Sequence, residues 1–590
     1  MLGCWDAGML DKILRASLCG IVFTSLAVSQ SKLGFAACVT DNAQCEVSDG
    51  SWQFPSNMTF VPTGTGGNNA ALIATNASDI YGNNITISTP LSDGYYAGLV
   101  GPSSYLYLTD STINSWFGLR SDGMLVINNT NIETKDYGIH VADGYAGFWD
   151  VNIKVNGTAT GLTLNNNAYG AMDYSHINAA GENAVGIIAN NTNSYFYLDN
   201  VKIESLKNTS GGAGIRMQFG SYLSLSESTI TTQGAFAPAL AFIGTTNYNS
   251  INLADSVVNS QDAFAIQANG GNNVLSFSKS KVEGDKLAYA GDWVQGGQTY
   301  GSYLEIYASN NSQFFGHGTK TEKSRIHITL RDNTLWTIRP SATGDVRSSV
   351  SVIDMDKSAI VFNQAGSGLY QQLVIEDKNA SSYLWSTNSS ITFNTFLNKG
   401  GALSNQSTDR LLVNGNIYGN TLVYIKEVAG SPGGLTSPSG ANRNNEGISL
   451  IQVSGNASEH AFALASGYIT MSALPYEYRL YAYGPGSSNG SADPSQRLVD
   501  GTNHWDFRLQ STCIGYCPTP QVVPQVANYL IAPTALFQAG LQDIGSLQQR
   551  LGELRQSHAN PQQQGHGFFL RGYGGDYDYR SNLNAAQYGY

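Results

Sequence analysis

One spacing recurs through the first half of the chain and restricts its fold more than any other feature. An apolar residue is followed five positions later by Ile or Val at Leu108/Ile113, Ile127/Ile132, Phe148/Ile153, Met172/Ile177, Leu198/Ile203, Leu225/Ile230, Leu253/Val258 and Phe277/Val282. In six of these eight pairs another apolar residue stands two positions earlier: Leu106, Leu125, Phe196, Leu223, Ile251 and Leu275. Successive Ile or Val anchors lie 19, 21, 24, 26, 27, 28 and 24 residues apart. The local offset is constant while the period varies. Two short strands and the corner between them are therefore fixed, and loops elsewhere on each turn change length. Asp110-Ser111, Asp199-Asn200 and Asp255-Ser256 supply the corner.

A unit of this size cannot bury its own apolar face, and stacking like on like supplies the missing half of a core. The expected fold is all-β, a right-handed parallel β-helix (solenoid) with roughly 14 turns between Thr59 and Thr395, on the order of 65 Å at about 4.8 Å per turn. An antiparallel sandwich also spaces its strands regularly but needs no single corner repeated eight times. Beyond Val282 the pattern loosens and continues in Leu304-Glu305-Ile306, Ile326-His327-Ile328-Thr329-Leu330, Val350-Ser351-Val352-Ile353 and Leu373-Val374-Ile375. Trp336, Tyr383 and Trp385 fall inside these strands and are expected to stack in the core.

Only 13% of the 590 residues are charged, while 65 are Gly and 33 are Tyr, which is strand and turn chemistry. The net charge of -12, with no basic patch in the sequence, argues against nucleic acid or an anionic bilayer as ligand. Lys12 and Arg15 precede an apolar run from Ala16 to Val28 that is too short for a comfortable membrane span, so residues 1–37 read as a secretory signal peptide. Four cysteines remain after its removal, in two local pairs. Cys38 with Cys45 and Cys513 with Cys517 are candidates for small disulfide loops closed in an oxidising compartment. A zinc site would require pairs from opposite ends of the chain to meet, and no metal or other cofactor is expected.

Sustained helical patterning occurs once. Leu536, Phe537, Leu541, Ile544, Leu547, Leu551 and Leu554 recur at three- and four-residue steps and share one helix face, and Pro533 suits a first helical turn. A Pro-spaced linker (Pro518, Pro520, Pro524) precedes it, and an aromatic, partly alternating run from Phe568 to Tyr579 follows, as a lipid-facing barrel strand would.

From Phe396 the strands lengthen, in a series that begins Asp409-Arg410-Leu411-Leu412-Val413-Asn414-Gly415 and ends His504-Trp505-Asp506-Phe507-Arg508-Leu509. That series, with Asn528-Tyr529, Phe537, the run Arg550-Leu551-Gly552-Glu553-Leu554-Arg555 and the strand Arg571 to Asp576, resembles the pertactin-like autotransporters of Gram-negative bacteria over residues 395–580. The resemblance implies a Sec-secreted β-helical passenger at the outer membrane or cell surface. It also implies a C-terminal segment that nucleates folding outside the cell, a linker helix in a pore, and an outer-membrane barrel. The expected layout is signal peptide 1–37, passenger 38–394, autochaperone-like segment 395–512, Pro-containing linker 513–534, linker helix 535–556 and, from 557 to 590, the start of a truncated barrel with its first strand. Such barrels have twelve strands, so a non-secreted fragment held in the periplasm is one alternative reading.

Catalytic patterns are sparse. Gly316-His317-Gly318 is similar to a motif of polygalacturonase-like hydrolases, which also need paired carboxylates, and no Asp-Asp pair occurs. Gly-Asp-Ser-Gly is absent, and the remaining histidines show no metal-ligand spacing. The expected function is an adhesin or host-interaction passenger without catalytic activity. Its partners would be host-cell or matrix molecules, met through long polar sides and Tyr-rich loops, and the loops of variable length, such as Asn156 to Gly161 and Leu206 to Gly214, are the expected binding face. A polysaccharide-acting β-helix enzyme is the other alternative.

Overall fold

The repeated spacing becomes three ladders of parallel strands in the computed structural model. It describes residues 38–558 apart from 39–43, 49, 63–69, 90–93, 191–194, 207–210, 245–247, 364–367, 438–441, 472–475, 502, 512–522 and 524. The chain divides into two units, residues 1–316 with 320–326, and residues 317–319 with 327–590. The signal peptide, Cys513 and Cys517, and the strand expected from Phe568 lie outside the described residues.

In the first unit the anchors stack in register. Ile113, Ile132, Ile153, Ile177, Ile203, Ile230, Val258 and Val282 are successive partners along the second sheet, and Phe314 follows Val282. The residues five positions before them form the matching column of the first sheet, from Leu108 through Ile127, Phe148, Met172, Leu198, Leu225 and Leu253 to Phe277. Both columns are buried.

The corner explains why the offset never changes. Its first residue takes a left-handed backbone, with φ of 52° at Asp110, 42° at Asn129, 54° at Asp150, 53° at Asn200 and 48° at Asp255, and Asn and Asp tolerate that region best. The next residue is a buried hydroxyl at Ser111, Thr130, Ser175, Ser228, Ser256, Ser280 and Ser312, interrupted by Val151 and Val201. The Val201 N–H donates to Ser228 Oγ at 3.0 Å, and that hydroxyl donates to the Ser226 carbonyl at 2.7 Å. The Ser228 N–H in turn donates to Ser256 Oγ at 3.1 Å. Backbone groups freed by the bend are thus paired one turn onward. Ser228→Ala should cost about 1–3 kcal/mol, because the buried Val201 N–H loses its acceptor. The midpoint of urea unfolding measures it, and an unchanged midpoint would remove the corner hydroxyl from the stability account.

A third sheet completes each turn. Leu72, Gly98, Leu119, Ile139, Leu162, Ile187, Ile215, Leu240 and Ile266 are successive partners along it. Its strands enter through Gly138, Gly161, Gly186 and Gly214. A Cβ there would meet the anchor isoleucine of the following turn and a neighbouring carbonyl oxygen, 2.7 Å away at Gly161 and 2.6 Å at Gly186. At the N-terminal end of the unit, Cys38 and Cys45 form a disulfide with Cα atoms 4.6 Å apart.

In the second unit the same stacking runs Trp336, Ile360, Ile391, Val423, Leu464. Trp336 is fully buried. Trp385, expected in the core, is exposed, because strand alternation turns Leu384 inward and Trp385 outward. A seven-stranded sheet closes this unit. Arg347–Val350, Gln372–Glu376, Arg410–Asn414 and Ile448–Val453 are parallel, and then Trp505–Gln510, Glu477–Tyr483 and Ile469–Thr470 follow in antiparallel pairs. The reversal covers a parallel edge that would otherwise remain open to another chain.

The helix spans Gln525–His558 and contains Pro533 in its interior, so it starts ten residues ahead of the expected 535. Pro524 immediately precedes it in sequence, and Val526 to Ile531 contain no Gly or Pro to stop an earlier start. All seven apolar face residues are exposed, Leu536 at 73% and Leu554 at 37%. That apolar face is not covered by the described residues.

Candidate functional site

Outward-facing side chains of the first sheet in the first unit form columns, because each turn repeats its neighbour's register. One column runs Tyr145, Tyr169, Tyr195, Tyr222. Tyr145 and Tyr169 meet edge to face at 5.5 Å between ring centres, and Tyr195 and Tyr222 are 5.3 Å apart. The adjacent column runs Tyr107, Val126, Gly147, Ala171, Tyr197, low in the middle and closed by a tyrosine at either end. Tyr145 lies back across Gly147, its hydroxyl 3.1 Å from where a Cβ would stand. The third column runs Asn128, Trp149, Asp173, Asp199, with Trp149 packed against Tyr174 at 4.8 Å. Exposure reaches 53% at Tyr169, 51% at Tyr195, 56% at Tyr197 and 46% at Trp149.

Toward the N-terminal turns the face continues through Tyr105, Tyr81 and Phe54, with ring centres 5.3 Å and 5.2 Å apart. Burial, and then the Asp79 carboxylate, push the Tyr81 phenol up to about 12. Burial also raises Tyr105 and Tyr145, so these hydroxyls keep their protons as donors. Contact tyrosines were expected on loops, and these stand on strands. Alternation puts Tyr195 and Tyr197 together on the outward side, opposite the buried Phe196, but only register shows them aligned across turns.

The other sequence candidates fall elsewhere. His317 of the Gly-His-Gly run is buried, with Nε2 3.5 Å from Asp345 Oδ2. His176 Nε2 lies 2.7 Å from Glu204 Oε2, and His140 Nε2 lies 2.8 Å from the Asn165 side-chain nitrogen. Among the described residues, no three His, Cys, Asp or Glu side chains could hold a metal ion together.

The second unit carries a polar core that sequence reading missed. Asp506 and Arg508 are wholly buried and paired, Nη1 to Oδ2 at 2.6 Å. Arg508 also donates to the carbonyls of Glu446, Gly447 and Gly401 and to Gln496 Oε1, and Ser449 Oγ donates to Asp506 Oδ1 at 2.6 Å. Asp409 accepts from the Gln371 and Asn394 backbones and from the Asn394 side chain, while burial outweighs these bonds and raises its carboxyl. An alternating polar and apolar strand such as Trp505 to Gln510 ordinarily signals a solvent face, so nothing in the sequence marked these charges as internal.

His504 is buried beside this network, and neither ring nitrogen has a hydrogen-bond partner among the described residues. Burial holds its pKa below the usual histidine value, and Arg497 and Arg508 act in the same direction against Asp506 and Asp493. The neutral ring is thus favoured in the folded state. Its stabilising contribution is complete above the unfolded histidine value of about 6.5 and is lost as pH falls toward the folded value. Urea midpoints should therefore fall between pH 7.5 and 5, and His504→Phe should flatten the dependence. An unflattened curve would assign the acid loss to other groups.

These features define a parallel β-solenoid protein with outward aromatic columns and an antiparallel C-terminal closure. Residues 348–480 match the family model described as Autochaperone Domain Type 1, so that stretch is similar to a domain of autotransporter passengers. The match begins upstream of the boundary expected at 395. No curated protein matches the chain. One similar solved structure is that of the autotransporter UpaB from E. coli strain CFT073, at 14% identity over 79% of this chain and 92% of that one, with a TM-score of 0.34.

Proposed function

We propose that the chain is displayed at the bacterial surface as an adhesin-type contact protein and performs no catalysis. The supporting observation is the first sheet's outer face, where exposed tyrosine and tryptophan rings repeat from turn to turn. Rigid aromatic side chains provide large contact area at small entropic cost, which suits recognition of a surface. The parts around it follow the same reading. Residues 1–37 direct export, Cys513 and Cys517 close a small loop, the exposed stripe of Gln525–His558 lies in a barrel pore, and residues 557–590 open that barrel. Host-cell or matrix molecules are the partners.

Displayed on a non-adherent bacterium, the protein should be cleaved by protease added to intact cells and should raise attachment to epithelial cells or immobilised matrix several-fold. Surface exposure without any gain in attachment would end the adhesin reading.

A further inference from the structure

Resting on that contact role, the aromatic face also carries information about the chemistry of its ligand. Between residues 79 and 254 the strands of this face contain no lysine or arginine, and their charged groups are Asp79, Asp173 and Asp199. An anionic ligand would meet only like charge here. The aromatic rings instead offer apolar, electron-rich surfaces, and the C–H face of a sugar ring fits such a surface. Tyr145 leans back over Gly147, its hydroxyl and ring edge close to where a Cβ would stand. Beside it, Asn128, Asp173 and Asp199 bring amide and carboxylate groups of the kind that bind hydroxyls. In this column ring centres lie 5.5 Å apart for Tyr145 and Tyr169 and 5.3 Å apart for Tyr195 and Tyr222, close to the turn spacing. A chain of β-linked hexoses extended along the stacking direction advances by about the same step, so each turn can meet one sugar.

We propose that the face formed by Tyr145, Tyr169, Tyr195, Trp149 and the low ground at Gly147 and Ala171 binds an uncharged oligosaccharide, with its sugar rings stacked on successive turns. Each ring supplies one stacking contact, and the acidic column accepts hydroxyl hydrogen bonds along one edge. Specificity against anionic glycans follows from the absence of basic groups.

The test uses the full chain, purified after secretion, titrated with cellohexaose, mannohexaose and chitohexaose, and with a heparin hexasaccharide and hexagalacturonate as anionic controls. At least one neutral hexasaccharide should bind, and Tyr169→Ala and Tyr195→Ala should each weaken it by about tenfold. Tyr169→Phe, which keeps the ring, should leave affinity within about twofold. Gly147→Ala should displace the Tyr145 ring and weaken binding while the unfolding midpoint stays close to that of the parent, because the atoms nearest the added Cβ all belong to the movable Tyr145 side chain. Binding confined to the anionic probes, or neutral binding unchanged by the tyrosine variants, would overturn the proposal. So would cell attachment that depends on Tyr169 without any glycan binding, which leaves the adhesin reading standing and assigns the face to a protein partner. Absence of both attachment and glycan binding would remove both.

Discussion

Asp506→Ala is expected to destabilise the second unit by about 3–5 kcal/mol, the largest single effect in the molecule, because it leaves the Arg508 guanidinium buried with no counter-charge. Both partners are wholly inaccessible, so water cannot replace the lost carboxylate. The damage spreads because Arg508 also donates to the adjacent carbonyls of Glu446 and Gly447 and to that of the more distant Gly401. Arg508→Met should cost a comparable amount, by leaving the buried Asp506 carboxylate with the Ser449 hydroxyl and without its counter-charge. In a double-mutant cycle the combined variant should lose less than the sum of the single losses, by roughly 2 kcal/mol or more. Urea unfolding followed by the fluorescence of Trp505, two residues before the pair's midpoint in the strand, gives the measurement. A loss below about 1 kcal/mol for Asp506→Ala would show that the strand pairs of the closing sheet do not depend on this ion pair.

Gly186→Ala is the second large effect, about 3 kcal/mol, and it belongs to the first unit. The added methyl would stand 2.6 Å from the Gly214 carbonyl oxygen and against the Ile203 side chain. One obstacle is backbone and the other is a core anchor that is itself fully buried, so neither can move aside without disturbing the next turn. Gly161→Ala and Gly214→Ala should behave alike, since their neighbours lie at the same close range. Thermal unfolding of the three variants should show losses of similar size. If Gly186→Ala cost less than about 1 kcal/mol, the third sheet would have to be looser than its register implies.

The ladders were legible in sequence to the extent that local chemistry held them constant. The five-residue offset from Leu198 to Ile203 or from Leu225 to Ile230 is fixed by one left-handed residue and one buried position, and it repeats without exception. The third sheet left a weaker trace. Its strands Val185–Asn190 and Ala213–Gln218 follow loops of different length, and their entry glycines looked like loop ends instead of packing positions. The aromatic columns needed register as well: Tyr145, Tyr169 and Tyr195 are separated in sequence by whole turns and become neighbours only after stacking. The seven apolar residues of the helix were visible from periodicity, whereas its start was not, because Pro533 was given the first-turn place that a proline commonly takes. Asp506 and Arg508 were read as ordinary strand residues, since burial of paired charge depends on what closes over the strand.

The two-residue corner sets different tolerances for inserted residues around each turn. From anchor to entry glycine the chain takes 6 residues at Ile132 to Gly138, 8 at Ile153 to Gly161, 9 at Ile177 to Gly186 and 11 at Ile203 to Gly214. Added length at that place leaves both flanking strands in phase. A single residue added between Leu198 and Ile203 would do the opposite, moving every side chain after it to the other side of its strand and bringing Lys202 inward as Ile203 went out. Foreign peptides grafted for display therefore have one permissive edge in each turn, and a one-codon insertion at the corner is equivalent to deleting the rung.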